Sequence, residues 1–187
     1  MKFLPTELDG VIVVEPDVHR DPRGFFVETY RADRWAEGGV DATFVQDNHS
    51  RSVLGTLRGL HAQLSRPQAK LVRVIQGSIV DVVVDVRRGS PTFKRWIAVE
   101  ISSENFRQIY VPVGFAHGLC VTSETAEVEY KCSDLYDPAD ELRLLWNDPE
   151  VGIRWPVADP ILSDKDRAAL PLSAWMDRLP AWSGPRR

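Results

Sequence analysis

Short segments rich in β-branched residues, separated by turn residues, constrain the fold of this chain more than any other feature. The segments AKLVRVI at 69–75 and SIVDVVVDV at 78–86 are separated only by Gln76 and Gly77, which predicts a β-hairpin. Turn residues separate further predicted strands at 96–101, 108–111, 118–122 and 126–132. Helical character is confined to residues 32–37 and to a short turn over 165–170, with Ser163 and Asp164 as candidate caps. This pattern predicts an all-β, antiparallel sandwich or barrel with short peripheral and C-terminal helices.

The length and composition predict one domain. The chain has 187 residues, of which 43% are hydrophobic and 27% charged, as is typical of a soluble globular protein with a single core. No linker divides it, so we predict one domain over residues 1–187. Within it, the Pro-, Gly- and Arg-rich end at 178–187 is predicted to be a loosely ordered tail.

The charge and hydropathy limit the classes of partner. A net charge of −4 argues against a nucleic-acid binder, which would carry a basic surplus. No segment approaches the roughly 20 consecutive apolar residues of a membrane span. We therefore expect a cytoplasmic protein with neither nucleic-acid nor membrane partners, in which an anionic ligand would need locally placed cations.

Cys120 and Cys132 are the only cysteines, and both lie within apolar or alternating segments. Such surroundings predict two buried free thiols rather than a disulfide. Two cysteines without a nearby Cys/His pair are also too few for a structural zinc site.

The alternation of apolar and polar residues places two unusual side chains on inward faces. In AEVEYKC, at 126–132, Tyr130 shares a face with Ala126, Val128 and Cys132. By the same period Lys70 shares a face with Val72 and Val74, and a lysine on an apolar face needs a functional reason.

Two segments resemble the motifs of cupin barrels. Residues 58–63, RGLHAQ, with Lys70 and Gly77, are similar to the first motif, and PVGFAH at 112–117 is similar to the second. In metal-dependent cupins these motifs supply the metal ligands. Here Gln63 replaces a ligand His and Lys70 replaces the ligand carboxylate, so that only His61 and His117 remain. Since a dication needs about three or four good donors, we predict no metal and no cofactor.

Without a metal, these residues suit proton transfer. His61 can accept a proton near neutral pH, and Tyr130 can donate one. Arg58, Lys70 and His117 add hydrogen-bond donors or positive charge. This set suits removal of a proton next to a carbonyl, because the enolate that develops needs cations aimed at its oxygen.

The resemblance becomes specific over nearly the whole chain. In order, the segments DPRGFF, VQDNHS, LRGLH, QAK, DVVVD, GSPTF, PVGFAHG and LSDKD, from Asp21 to Asp166, are similar to the dTDP-4-dehydrorhamnose 3,5-epimerase family. This resemblance implies a cupin-like jelly-roll homodimer without a cofactor. It also implies inversion of C3 and C5 of a dTDP-linked 4-keto-6-deoxy sugar, on the route to dTDP-L-rhamnose.

The resemblance also implies a role for each site residue. His61 becomes the base, Tyr130 the acid, Asp166 the carboxylate partner of His61 and Lys70 the group that stabilises the enolate oxygen. Whether Asp166 or Asp164 pairs with His61 stays open. The implied substrate contacts are Arg23, Glu28, Gln46, Asp47, Asn48, Arg58, His117, Tyr136, which would stack on the thymine, Glu141 and Lys165.

This sequence departs from the family pattern at two positions. Lys94 stands where the family usually has Gly, which predicts an altered turn, and Ala62 stands beside the base where an aromatic residue is common. The second departure leaves the exact sugar open. The alternatives are an epimerase that inverts only C3 or only C5, a non-catalytic nucleotide-sugar-binding barrel, and a metal-dependent cupin.

Overall fold

The computed structural model describes residues 1–185 and is built almost entirely from antiparallel strands. The strands are β1 (Lys2–Pro5), β2 (Ile12–Glu15), β3 (Val18–Asp21), β4 (Gly24–Val27), β5 (Gln46–Val53), β6 (Leu57–Gln63), β7 (Lys70–Gln76), β8 (Ser78–Asp85), β9 (Trp96–Ser102), β10 (Gln108–Val111), β11 (Phe115–Val121), β12 (Thr125–Cys132) and β13 (Glu141–Arg143). The helices are short: α1 (Ala32–Glu37), α2 (Asp164–Arg167) and a 3₁₀ helix (Leu172–Trp175). Within residues 1–185, none of them is long and apolar enough to cross a membrane. The all-β prediction is confirmed.

Two sheets face each other. One has six strands in the order β1-β2-β10-β7-β12-β5, and the other has five in the order β13-β6-β11-β8-β9. Strands β3 and β4 form a separate two-stranded ribbon. Every paired strand runs antiparallel to its neighbours, so each strand turns alternate side chains toward the space between the sheets.

The hairpin predicted at Gln76 and Gly77 is wrong. Strand β7 belongs to the six-stranded sheet, whereas β8 pairs with β9 and β11 in the five-stranded sheet. The chain crosses between sheets through Gly77, whose φ is +82°. A Cβ on Gly77 would lie 2.1 Å from the Thr125 carbonyl oxygen, so only glycine fits this crossing. Gly77, the single residue between β7 and β8, is therefore the corner at which the chain passes from one sheet to the other.

The main core fills the space between the sheets. Val72 and Val128 of the six-stranded sheet pack with Ile79, Val83 and Leu119 of the five-stranded sheet, and all of them are buried. The inward faces of β7 and β12 pack against the core over part of their length and line a solvated cavity over the rest. This explains why valines share an inward face with Lys70 and Tyr130.

The C-terminal segment covers the outer face of the five-stranded sheet. Leu172 and Leu179 are buried against Val82 and Leu142. The Arg88 backbone donates to the Pro180 carbonyl and accepts from the Trp182 amide, at 2.8 and 2.9 Å. Within the tail predicted at 178–187, the Leu179 side chain and this backbone bridge thus hold residues 179–182 against the sheet, while residues 186–187 lie outside the described part.

The buried end of β8 explains two of the sequence motifs. Asp85 accepts hydrogen bonds from the Arg87 guanidinium and from the hydroxyls of Ser90 and Thr92. Burial alone would raise the pKa of the Asp85 carboxyl, but these hydrogen bonds hold it below its ordinary value. Lys94 follows with a φ of 67°, in the left-handed region that favours glycine. The segments DVVVD and GSPTF thus fix the β8–β9 connection.

Candidate active site

A cavity of about 380 Å³ opens between the two sheets. All four predicted catalytic residues line it, together with most of the predicted substrate contacts. The lining residues that the sequence singled out are Gln46, Asn48, Arg58, His61, Lys70, Tyr130, Tyr136, Glu141, Lys165 and Asp166. The period-2 alternation of β5 and β12 turns Gln46, Asn48 and Tyr130 to the same interior space. Arg58 and His61 of β6 are three positions apart, and both line the cavity because the pairing of β6 with β11 shifts register between them.

His61 and Asp166 form a close pair. His61 lies on β6, and its Nε2 is 2.5 Å from Asp166 Oδ1 at the buried end of α2. Although burial alone would raise the pKa of Asp166, its hydrogen bonds with His61 and Ser163 keep that pKa below its ordinary value. An ionised carboxylate only accepts hydrogen bonds, so Nε2 carries the hydrogen and Nδ1 keeps a lone pair. This arrangement is that of a general base.

Ser163 fixes Asp166 rather than Asp164 in this position. The Ser163 hydroxyl donates to Asp166 Oδ2 at 2.8 Å and accepts from the Asp166 amide at 3.2 Å. Asp164 is exposed on the first turn of α2. The helix cap that the sequence indicates at Ser163 thus also orients the carboxylate, a function that the sequence pattern alone did not reveal.

Tyr130 lies on β12, in the sheet opposite His61. It is partly buried and packs against the core between the sheets. Burial raises the pKa of the Tyr130 hydroxyl above its ordinary value, while Arg58 opposes the shift. The hydroxyl therefore keeps its proton at neutral pH until a stronger base forms beside it, as a general acid must.

Lys70 is the half-buried cation of the cavity. Burial lowers the pKa of its ammonium below the ordinary value, against the opposing effect of Cys132, Glu141 and Asp81. No ion pair or hydrogen bond holds this ammonium among the described residues 1–185. A half-buried cation with free donors on the wall of the cavity is suited to a negative charge that appears during the reaction.

Glu141, Lys165 and Tyr136 form the opposite rim. Lys165 Nζ lies 3.2 Å from both oxygens of Glu141, and it lies 5.8 Å from the centre of the Tyr136 ring. Glu141 also faces the base, with its Oε1 3.7 Å from His61 Nδ1. Tyr136 is 47% exposed, so that one face of its ring is open to a ligand.

The remaining lining residues hold one another in place. Gln46 donates to Asn48 Oδ1 at 3.0 Å and accepts from the Tyr136 amide at 3.0 Å. Arg58 Nε donates to Ser52 Oγ at 2.9 Å. Cys132, for which no chemical role was predicted, lines the cavity and accepts a hydrogen bond from Asn48. Both cysteines are buried free thiols, as predicted.

Four of the predicted substrate contacts lie outside this cavity in the single chain. Arg23 is at the turn of the β3–β4 ribbon beside Asp21, and Glu28 pairs with Arg34. Asp47 points to the outer side of β5, where it binds Lys131. His117 is buried on the same side of the five-stranded sheet as His61, next to the lining residues but not among them, with its Nε2 2.8 Å from Asp81 Oδ2. Its position makes it a support for β6, opposite His61 in the β6–β11 register.

Gln63, which replaces a ligand His of metal-dependent cupins, makes structural hydrogen bonds instead. Gln63 uses its amide to bind the chain, donating to the Arg66 and Leu135 carbonyls and accepting from the Asp137 amide. In the part of the chain that the structure describes, no group of three or more His, Cys, Asp or Glu side chains is arranged to hold a metal ion.

A second cavity, of about 390 Å³, lies behind β6 between Ala62, Arg87 and Trp182. It shares only Ala62 and Gln63 with the first cavity. Ala62, where the sequence departs from the family pattern, therefore lies in the wall between the two cavities and does not face the base alone.

This fold and this cavity define a class of protein, the acid–base enzymes built on a two-sheet jelly-roll barrel. The model of one family, dTDP-4-dehydrorhamnose 3,5-epimerase, matches residues 5–174, and the chain belongs to that family. A relative with that name from Methanothermobacter thermautotrophicus is 49% identical over 174 residues, which cover 91% of this chain and 94% of the relative.

Two further relatives extend the comparison. A crystal structure of the 3,5-epimerase of Legionella pneumophila in complex with dTDP-4-keto-L-rhamnose has a TM-score of 0.94 and 44% identity, covering 98% of this chain and 99% of that one. A dTDP-4-dehydrorhamnose 3-epimerase of Streptomyces niveus is 39% identical, over 95% of this chain and 86% of the relative. The chain is thus an isomerase-family jelly roll, as the sequence predicted.

Proposed function

We propose that this chain inverts C3 and C5 of dTDP-4-dehydro-6-deoxy-D-glucose and so forms dTDP-4-dehydro-L-rhamnose in dTDP-L-rhamnose biosynthesis. The observation that carries the proposal is the placement of the His61–Asp166 pair on one sheet and Tyr130 on the opposite sheet, around one cavity. Inversion of a carbon needs a proton to leave from one face and another to arrive at the other face. The cavity supplies a group for each face.

In the proposed reaction, His61 Nδ1 takes the proton from a carbon next to the C4 ketone. The electron pair of the broken C–H bond moves into an enolate, whose oxygen is stabilised by the Lys70 ammonium. Tyr130 then donates its proton to the opposite face of the same carbon. The imidazolium and the tyrosinate return to their starting states by exchange with water, so that protons balance, and the second carbon follows the same steps.

The outer part of the cavity suits the nucleotide. Lys165 and Arg58 offer cations to a diphosphate, Gln46 and Asn48 offer amide groups to a pyrimidine edge, and Tyr136 offers an exposed aromatic face to the base. These contacts would let an acidic protein bind an anion.

The proposal is tested by turnover in heavy water. With dTDP-4-keto-6-deoxyglucose in D₂O and a coupled reductase, we expect product with deuterium at both C3 and C5, resolved by NMR. Each inversion replaces the original proton by one from solvent. Absence of deuterium from both carbons would reject the epimerase function.

The same experiment separates the alternatives. Deuterium and inversion at one carbon alone would identify a single-site epimerase, the activity that the name of the Streptomyces niveus relative gives to that protein. Tight binding without exchange would identify a nucleotide-sugar-binding barrel. The 3,5-epimerase activity is preferred because the relative of that name from Methanothermobacter thermautotrophicus is 49% identical to this chain, whereas the 3-epimerase is 39% identical to it.

We further propose a cytoplasmic homodimer in which the β3–β4 ribbon reaches the cavity of the second copy. The resemblance assigns Arg23 and Glu28 to the substrate, yet neither lines the cavity of its own chain. The ribbon also exposes two large apolar side chains, Phe25 by 58% and Phe26 by 68%. A second copy would cover these rings and bring Arg23 to a diphosphate.

Mixing two impaired variants tests this arrangement. We expect Arg23→Ala to raise KM about 10–100-fold, the cost of one charged hydrogen bond. In a mixed dimer of Arg23→Ala and His61→Asn chains, one of the two sites would combine an intact His61 with an intact Arg23. At substrate concentrations below KM, activity should therefore rise on co-refolding to about a quarter of wild type, because random pairing makes about half of the dimers mixed and each mixed dimer has one intact site of two. Mixtures no more active than the separate variants would place Arg23 outside the partner's site.

A further inference from the structure

Glu141 lies between the base and the cation of the outer rim. Its side chain is only 7% exposed, and its Oε1 is 3.7 Å from His61 Nδ1. On the other side, Lys165 Nζ lies 3.2 Å from both carboxylate oxygens, and Arg143 Nε lies 3.8 Å from Oε2. His61 therefore has a carboxylate facing each ring nitrogen, Asp166 at Nε2 and Glu141 at Nδ1.

This position is poorly suited to a contact with the diphosphate. A buried carboxylate repels a diphosphate, and Glu141 has no donor hydrogen to offer it when ionised. Its nearest cation, Lys165, is 44% exposed and stands over the Tyr136 ring, where it can turn toward an anion that enters the cavity. The two residues thus have different tasks, although the family resemblance places both among the substrate contacts.

We propose that Glu141 is a positioning residue for the His61 base and that Lys165 sets its strength. In the ligand-free enzyme Lys165 neutralises part of the Glu141 charge. When a diphosphate attracts Lys165, the Glu141 carboxylate is left to face His61 Nδ1, and the base becomes stronger as the substrate arrives. The part played by the diphosphate rests on the proposed function, whereas the effect of Glu141 on His61 does not.

Other charged or titratable groups also face His61 and act in every variant. The second carboxylate comes from α2, and the other sheet contributes a phenol, an ammonium and a thiol. Around the ring these groups are Asp166 and Lys165 on α2, Arg143 on β13, Arg58 on β6, Tyr130, Lys70 and Cys132 on the opposite sheet, Tyr136 on the rim, and His117 with its partner Asp81 on β11 and β8.

The first test is an NMR titration of the His61 ring in the ligand-free protein. The chain has four histidines, and the signal absent from a His61→Asn sample identifies the ring. We expect Glu141→Gln to move its titration midpoint down by about 1 pH unit, because a nearby negative charge no longer favours the imidazolium. Lys165→Gln should move it up by about 0.5 unit, and that upward shift should be at least halved in the double variant. Glu150→Gln removes a surface carboxylate paired with Lys94 and is the matched control, with no shift expected.

Opposite shifts in two variants cannot arise from loss of structure. The proposal is overturned if Glu141→Gln leaves the midpoint within about 0.2 unit of wild type, or if the effect of Lys165→Gln is the same with and without Glu141. Inorganic pyrophosphate supplies the third arm: it should raise the midpoint in the wild type, and by less than half as much in Glu141→Gln. An equal rise in both proteins would overturn control by Lys165.

Kinetics separate this role from substrate binding. We expect Glu141→Gln to lower kcat about 10-fold with KM within about twofold, and to move the acid limb of the kcat/KM profile to lower pH. A raised KM with unchanged kcat would instead make Glu141 a binding residue. The titrations use no sugar, so a wild-type protein inactive on the dTDP sugar would overturn the proposed function and leave this inference to be decided by NMR.

Discussion

Replacing His61 with Asn is expected to lower kcat/KM by about 10³–10⁴-fold, the usual contribution of a general base. Asparagine keeps a polar side chain, but it is too short to replace Nε2 beside Asp166 and cannot accept a proton near neutral pH. Exchange of the C5 proton of the keto sugar with D₂O should be lost to the same extent, because proton removal precedes every later step. The coupled assay and the NMR exchange rate measure the two effects.

His49→Asn is the matched control for this variant. His49 lies on β5, is 53% exposed at its side chain and contacts Glu127 on the outer side of the sheet. We expect wild-type turnover from it. If His61→Asn retained wild-type exchange at C5, the base would have to be another residue, and the role of the Asp166 pair would fall with it.

Replacing Tyr130 with Phe should separate proton removal from inversion. The change removes one hydroxyl and leaves the ring packed against the core between the sheets. His61 and Lys70 can still form the enolate, but no acid remains on the opposite face. We therefore expect epimerised product to fall about 10²–10⁴-fold while deuterium enters the substrate at C5 with retention of configuration. NMR of the unconverted sugar detects this outcome.

The control for that variant is Tyr30→Phe. Tyr30 packs against Trp35 and Phe44, away from the cavity, and its loss of a hydroxyl should leave turnover unchanged. Inversion of both carbons by Tyr130→Phe at the wild-type rate would assign the acid to a different group, such as a water molecule on that side of the sugar.

The strands were predictable because their residues are locally informative, whereas their pairing was not. The β-branched run at 78–86 and the alternation at 126–132 identify β8 and β12 within one or two residues. Nothing local says that Gly77 leads into the other sheet, since sheet membership depends on β9, β10, β11 and β12 further along the chain. The docking of Leu179 was missed for the same reason: its partner surface is built by distant strands.

In the active site, too, features with a local sequence signal were predictable, and features that depend on distant elements were not. Period-2 alternation correctly turned Tyr130 and Lys70 inward, and the two replacements at Gln63 and Lys70 removed two cupin metal ligands. The choice of Asp166 over Asp164 needed the orientation of α2, and the contact between Glu141 and His61 needed β13 beside β6. Neither distance is encoded by spacing along the chain, because both join residues more than 75 positions apart.

The separation of His61 and Tyr130 onto different sheets also affects how activity arises during folding. No single strand contains both groups, and the core contacts between the sheets join β7 and β12 to β8 and β11. Such long-range pairing is slow to form compared with local turns. Enzyme activity should therefore return last on refolding, after the strands have formed, and no isolated half of the barrel should carry it.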